Sequence, residues 1–229
     1  MRTLVLDIGG TGLKGRVLDV EGNALTERVR VPTPEPATPE AVLAAIAELI
    51  RGLGEFDRVS VGFPGVVTEG TTRTAPHLDA AWAGFPLAKE IEQRTGRPAR
   101  VLNDAGLHGF GVIEGRGTEI LITLGTGMGF ALYVDGHYVP NIELGHHPFR
   151  KRQTYEDRIS NAVRKKVGKR RWNERVRGVV AQIAPIFNHR KLYLGGGNAR
   201  HVEAEGLPSD VVLIDNVMGL RGGVRLWSV

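Results

Sequence analysis

The 229-residue chain contains no cysteine. Disulfides, thiol nucleophiles and every thiolate zinc site are thereby excluded, and any metal must bind oxygen or histidine. Also missing is any apolar run near the ~20 residues that cross a bilayer, so no membrane partner is expected. Met1 stands only two residues before the first strand, leaving no room for a signal peptide and making a cytoplasmic protein the expectation. Hydrophobic residues at 41% and charged residues at 24% suit an ordinary globular chain. The length accommodates one domain or two of roughly 100 residues.

What is present is one pattern written twice. Thr3-Leu-Val-Leu-Asp-Ile-Gly-Gly-Thr-Gly-Leu-Lys-Gly15 is matched, 115 residues after Thr11, by Leu121-Ile-Thr-Leu-Gly-Thr-Gly-Met-Gly-Phe-Ala-Leu-Tyr133. Each copy reads as an apolar strand, a Gly/Thr turn and a second strand, which predicts two related lobes. Glycines at the turn let backbone N–H groups approach an anion, threonine adds a hydroxyl, and Asp7 at the strand end is placed to orient a hydrated magnesium ion. Either copy alone would pass for an ordinary glycine-turn hairpin.

Further elements follow in alternation. A third strand is expected over 23–31, then a helix capped by Thr38 with Pro39 at its first position and Val42, Leu43, Ile46, Leu49, Ile50 and Leu53 on one face. Arg58–Phe63 reads as a strand, 66–86 as loop, Pro86–Thr95 as a helix closed by Gly96, and Ala99–Leu102 as a strand. In the second half, strands are expected over 118–124 and 129–134, with an Asp135-Gly136 turn and a short strand to Pro140. Two helices follow, the first capped by Thr154 and Asp157 and the second carrying Trp172, Val176, Val179, Ile183 and Phe187. A strand over 191–194 and a closing helix over 216–227 complete the chain. The alternation indicates an α/β fold with ligands at strand ends.

Three further groups carry chemistry. Asn103-Asp104 ends a strand before a helix; the aspartate suits a base for a substrate hydroxyl that the asparagine holds, and either residue suits a helix cap. Glu143-Leu-Gly-His146 offers acceptors and a donor to vicinal sugar hydroxyls. His146 and His147 also raise metal binding, but adjacent histidines chelate one ion poorly. Gly195 to Asn198 is a turn where a flat ring can approach backbone closely.

Positive charge is concentrated. The net charge is +5, and from Arg150 to Arg177 twelve Lys/Arg stand against Glu156, Asp157 and Glu174. The patch reads either as a polyanion site or as a solvated helical face. Tyr155 and Trp172 do not interleave regularly with its basic residues, so no specific nucleic acid is expected.

The ordered set Asp7-Ile-Gly-Gly-Thr11, Gly62-Phe-Pro-Gly65, Asn103-Asp104, Leu124-Gly-Thr-Gly127, Glu143-Leu-Gly-His146 and Leu194-Gly-Gly-Gly197 resembles the ROK sugar kinases. The forms Asp-Ile-Gly-Gly-Thr-Gly-Leu-Lys14, Phe-Pro-Gly-Val-Val67 and Val-Pro-Asn-Ile-Glu-Leu-Gly-His146 are most similar to their polyphosphate glucokinase branch. The resemblance implies a two-lobed, actin-like (ribonuclease H-like) fold with the active site in the interlobe cleft. Its lobes would be residues 1–106, joined by the C-terminal helix 216–229, and residues 107–215. The implied reaction moves a phosphoryl group from polyphosphate or ATP to the 6-hydroxyl of glucose, with Mg²⁺. Kinases for other hexoses and non-catalytic sugar-binding proteins of the same family are the alternatives.

By the same resemblance Asp104 is the catalytic base, and Asn103, Glu143, His146 and Gly65 contact sugar. Gly9, Gly10, Thr11 and Lys14, with Asp7, form one phosphate site, with Mg²⁺ held indirectly through Asp7. Gly125, Thr126 and Gly127 form the other, and Gly195, Gly196 and Gly197 the adenosine loop. The basic patch fits a polyanionic donor, no structural zinc is implied, and a homodimer is expected. His77 stands where the family usually has asparagine near the sugar.

Overall fold

The computed structural model describes residues 1–76, 78–215 and 218–228. They divide into two compact units, Met1–Gly111 with Gly219–Val229, and Val112–Met218. Among the described residues no helix is long and apolar enough to cross a membrane.

The first unit opens with β1 (Thr3–Gly9) and β2 (Gly12–Leu18), an antiparallel pair whose register sets Gly9 opposite Gly12 and Asp7 opposite Lys14. The third strand is shorter than expected: β3 covers only Val29–Val31. Upstream of it the Thr26 hydroxyl, in place of a backbone carbonyl, accepts the Val17 N–H at 3.1 Å, so the ladder is interrupted. Helix α1 (Pro39–Ile50) starts as its sequence predicts, the Thr38 hydroxyl accepting the Ala41 N–H. It buries Val42, Leu43, Ile46 and Leu49. On β2 a Cβ at Gly15 would collide with Leu49, so glycine lets helix and sheet approach.

Strand β4 (Arg58–Phe63) runs parallel to β1. The segment expected as loop holds a small hairpin, β5 (Val67–Thr68) and β6 (Thr71–Thr72), and the buried Trp82. Trp82 packs on Phe63 at 5.0 Å and donates its indole N–H to the Ala37 carbonyl at 2.8 Å, so its polar edge is satisfied inside the core. After α2 (Leu87–Thr95), closed by Gly96 at φ 65°, come β7 (Ala99–Asn103), parallel to β4, and α3 (Asp104–Phe110). The sheet order is β3-β2-β1-β4-β7.

The second unit repeats this plan. Strands β8 (Thr118–Leu124), β9 (Met128–Val134) and β10 (His137–Val139) form the antiparallel part. They are followed by a small hairpin, β11 (Pro148–Arg150) and β12 (Gln153–Thr154), absent from the sequence expectation. Three helices stand where two were expected: α4 (Glu156–Ile159), α5 (Asn161–Val167) and α6 (Lys169–Phe187). The Thr154–Asp157 pair caps α4 reciprocally, at 2.9 and 3.2 Å. Strand β13 (Lys191–Gly195) and β14 (Val211–Leu213) run parallel to β8, giving the order β10-β9-β8-β13-β14. Strand for strand this is the order of the first sheet, and it is the structural counterpart of the repeated sequence.

The chain then returns to the first unit. The expected closing helix is instead a 3-10 turn, Met218–Arg221, running into the short α7 (Gly222–Arg225), while Asn216 lies outside the described residues. A Cβ at Gly222 would overlap the Leu107 carbonyl, and one at Gly223 would press on Val5. The Ser60 hydroxyl donates to the Gly223 carbonyl at 2.6 Å and accepts the Trp227 indole N–H at 2.8 Å. The expected boundary at residue 106 would cut α3, which packs on β4 and α7 and belongs whole to the first unit.

Candidate active site

The sequence-expected residues fall into two sets, one on each unit. On the first, the register of β1 and β2 places Asp7 beside Lys14, and their side chains form an ion pair at 2.6 Å. Gly9 closes the turn tightly: its carbonyl accepts the Thr33 hydroxyl at 2.5 Å, and a Cβ there would come within 3.0 Å of the Gly12 carbonyl. Gly10 and Thr11 are exposed at the tip.

At the end of β7, Asn103 is the N-cap of α3. Its side-chain oxygen accepts the Gly106 N–H at 3.1 Å while its amide donates to the Gly65 carbonyl at 3.2 Å. Gly65 admits no side chain, because a Cβ would overlap the Thr74 carbonyl. Asn103 therefore ties the start of α3 to the turn after β4. Asp104 opens the helix, its Oδ1 accepting the Ala105 N–H at 2.7 Å.

Sequence reasoning missed His108. It lies four residues after Asp104, hence on the same face of α3, and its Nε2 stands 3.9 Å from the second Asp7 oxygen. The signal was the i, i+4 spacing alone. Helix α3 thus brings Asp104 onto the side of the unit that holds Asp7 and Lys14.

Burial pushes the Asp7 carboxyl up, but attraction to His108 and Lys14, with the Lys14 hydrogen bond, outweighs it and holds the group below its ordinary value. Burial lowers the His108 imidazole, and Lys14 lowers it further, against the pull of Asp7. Besides His108, the counter-charges on Asp7 are Lys14, in contact, and Arg28. Because the folded-state value lies below the unfolded one, ionised Asp7 stabilises the fold above its ordinary 3.8, and that contribution is lost as pH falls through the folded value. Lys14→Met raises the folded value, so the acid limb of a melting-temperature profile is expected to move to higher pH; superimposable limbs would show that Lys14 does not hold Asp7.

Among the described residues no cluster of three or more metal-ligating side chains occurs. One buried carboxylate beside a phosphate-type turn nevertheless fits Mg²⁺, which is commonly held by one or two carboxylates, waters and substrate phosphates in place of a protein cage.

On the second unit, the Gly125–Gly127 turn is held from two sides. From one, Asn161 N–H donates to the Gly125 carbonyl at 3.1 Å and Glu156 accepts the Met128 N–H at 3.1 Å. From the other, Asn198 donates its backbone N–H to Leu124 at 2.9 Å and its side-chain amide to Gly125 at 3.1 Å. The Gly125–Gly127 and Gly195–Gly197 loops are thereby joined. Thr126 and Gly197 are exposed at their tips. Gly196, at φ +85°, lies against the Leu124 backbone.

Glu143 and His146 flank a 3-10 turn, with carboxylate and imidazole 3.9 Å apart. Gly145 between them seats that turn on the start of β9, since a Cβ would meet the Met128 carbonyl at 2.5 Å. The pair therefore stands beside the Gly125–Gly127 turn. Glu156 was not foreseen, because only the tertiary fold brings it to Met128. His77 lies outside the described residues.

Known proteins resemble this chain in sequence and in fold. A family model described as the ROK family matches residues 3–155. The polyphosphate glucokinase of Mycobacterium tuberculosis (strain H37Rv) is 33% identical over 208 residues, covering 86% of this chain and 78% of that protein. The inorganic polyphosphate/ATP-glucomannokinase of Arthrobacter sp. strain KM superposes with a TM-score of 0.89 at 30% identity, over 99% of this chain and 98% of that one. A ROK family glucokinase from Streptomyces griseus, in complex with glucose and AMPPNP, superposes with a TM-score of 0.82 at 22% identity over 99% of both chains, a likeness of fold.

Proposed function

This chain belongs to the ROK family, and from that membership we propose that it phosphorylates the 6-hydroxyl of glucose, with Asp104 as general base and inorganic polyphosphate or ATP as donor. At the coarser level it is a sugar kinase, a phosphotransferase with an alcohol acceptor, on the two-lobed actin-like fold. The observation that carries the finer reading is the placement of Asp104 at the first position of α3, on the helix face that also reaches the Asp7–Lys14 pair.

Phosphoryl transfer asks little covalent chemistry of a protein: it needs a hydroxyl and a phosphorus in line, charge neutralised, and a base that takes the proton. In the proposed reading Asp104 accepts the proton of the 6-hydroxyl. The neighbouring Asn103, braced on Gly65, fixes the backbone from which Asp104 projects. Glu143 and His146 take ring hydroxyls, the carboxylate accepting and the imidazole donating or accepting with its tautomer. Backbone N–H groups of the Gly9–Thr11 and Gly125–Gly127 turns receive phosphate oxygens, and Lys14 adds a positive charge. Asp7 would hold a hydrated Mg²⁺, and the ion would supply charge neutralisation on the donor phosphates.

The test is glucose 6-phosphate formation in parallel reactions with ATP and with long-chain polyphosphate, in the presence of Mg²⁺, with mannose as a second acceptor. Turnover on glucose with at least one donor is expected. Silence on both sugars with both donors would overturn the reading.

A further inference from the structure

The second unit carries a groove of about 530 Å³ lined by arginines from three elements: Arg150, beside Phe149, on β11, Arg158 on α4, and Arg171 and Arg175 on α6. Arg171 and Arg175 are four residues apart and so share a helix face. Glu174 is the acidic residue in the lining, and its carboxylate lies 3.9 Å from Arg170 on the same helix.

Arg158 is the centre of the cluster. Its guanidinium lies over the Phe149 ring at 5.5 Å and donates to the Gln153 side chain at 3.2 Å. Its Nε is buried and, among the described residues, has no hydrogen-bond partner. Burial disfavours its charge, and repulsion from Arg175 and Arg150 adds to that effect. Holding like charges together costs stability, and an anion in the groove offsets their repulsion.

The chemistry of the lining narrows the anion. Single-stranded nucleic acids are bound through bases stacked on open aromatic faces, with arginines on the phosphates. Here the aromatic ring of the lining, Phe149, is covered by Arg158 on a face and met edge-on by Tyr155 at 5.0 Å. Phosphates without bases suit the site better. One turn of helix separates the groove from the glycine turn of its own unit: α4 presents Glu156 to Met128 and, two residues on, carries Arg158 of the groove lining. We propose that this arginine groove binds a linear inorganic polyphosphate through phosphates other than the one transferred. The choice of polyphosphate over other base-free phosphates rests on the donor reading above.

The test is a double variant, Arg171→Gln with Arg175→Gln, made in the full chain. Direct binding of long-chain polyphosphate, without sugar, is measured at several salt concentrations beside ATP-driven glucose phosphorylation and thermal melting. The expected result is an affinity loss of about tenfold or more and a salt dependence shallower by about one to two counterions, with ATP-driven turnover unchanged and melting unchanged or slightly raised as the repulsion on Arg158 falls. Unchanged polyphosphate affinity would overturn the proposal, as would an equal loss in ATP-driven turnover, which would place the arginines at the transfer site. Single-stranded RNA that binds the wild type as tightly as polyphosphate, and loses that binding in the variant, would reassign the groove and also overturn it. A wild type that uses ATP but does not bind polyphosphate overturns the groove and leaves the kinase standing. Arginine-dependent binding without any sugar phosphorylation does the reverse.

Discussion

Asp104→Asn is expected to lower the kcat for glucose phosphorylation by about a hundredfold or more, the scale of losing a positioned base, while KM for glucose changes little. The substitution is isosteric, and the amide oxygen can still accept the Ala105 N–H that Asp104 accepts now at 2.7 Å. The Asn103 cap and its link to Gly65 do not depend on Asp104, so α3 keeps its start. What the fold loses is a negative charge in the first helical turn, worth about 0.3–1 kcal/mol. Melting should therefore stay within about 4 °C of the parent. Steady-state kinetics beside thermal melting decides the matter: a folded variant with undiminished kcat would remove Asp104 from the role of base.

Gly196→Ala is expected to cost about 2–4 kcal/mol and to lower the melting temperature by roughly 5–15 °C. Two causes act together. The backbone sits at φ +85°, where an L side chain is strained, and the new Cβ would come within 2.5 Å of the Leu124 carbonyl and 2.6 Å of its nitrogen. Neither atom is a flexible side-chain end, so relief requires Leu124 and the Gly195–Gly197 loop to part. That movement loosens the two Asn198 bonds to Leu124 and Gly125, and KM for the phosphoryl donor should rise more than KM for glucose. Gly125→Ala is the control, since nothing lies within 4 Å of its Cβ. Equal melting temperatures for the two variants would show that the Leu124 contact is not limiting.

The repeated sheet was legible because apolar alternation and glycine punctuation are local signals, and both hairpins carry them in full. The start of α1 was legible for the same reason: Thr38 and Pro39 act within one turn. The β11–β12 hairpin was not. Its chain reversal passes through Lys151 at φ 49° and Arg152 at φ 62°, a left-handed pair built without glycine or asparagine, so the usual marker is absent. The closing helix was overextended because Gly222 and Gly223 serve close packing on Leu107 and Val5, a demand invisible to periodicity. In the candidate site, motif residues such as Asp7, Asn103 and Gly127 could be found by strand ends and turns. Glu156 could not, because its partner Met128 is 28 residues away and met only through the fold. Asn103 was read both as cap and as sugar contact; the cap is what the structure displays, with both ends of its amide engaged by backbone.

The return of the chain to its first unit sets an order on biosynthesis. Gly223 and Trp227 complete the polar closure around Ser60, and Leu220, Val224 and Leu226 are buried with them. All of these residues leave the ribosome after the whole of Val112–Met218. The second unit is contiguous and needs no residue made later, whereas the first unit, begun first, is completed only when the segment after Met218 arrives. The unit begun first is thus the later one to be completed, against the usual N-terminal-first order in which domains are finished.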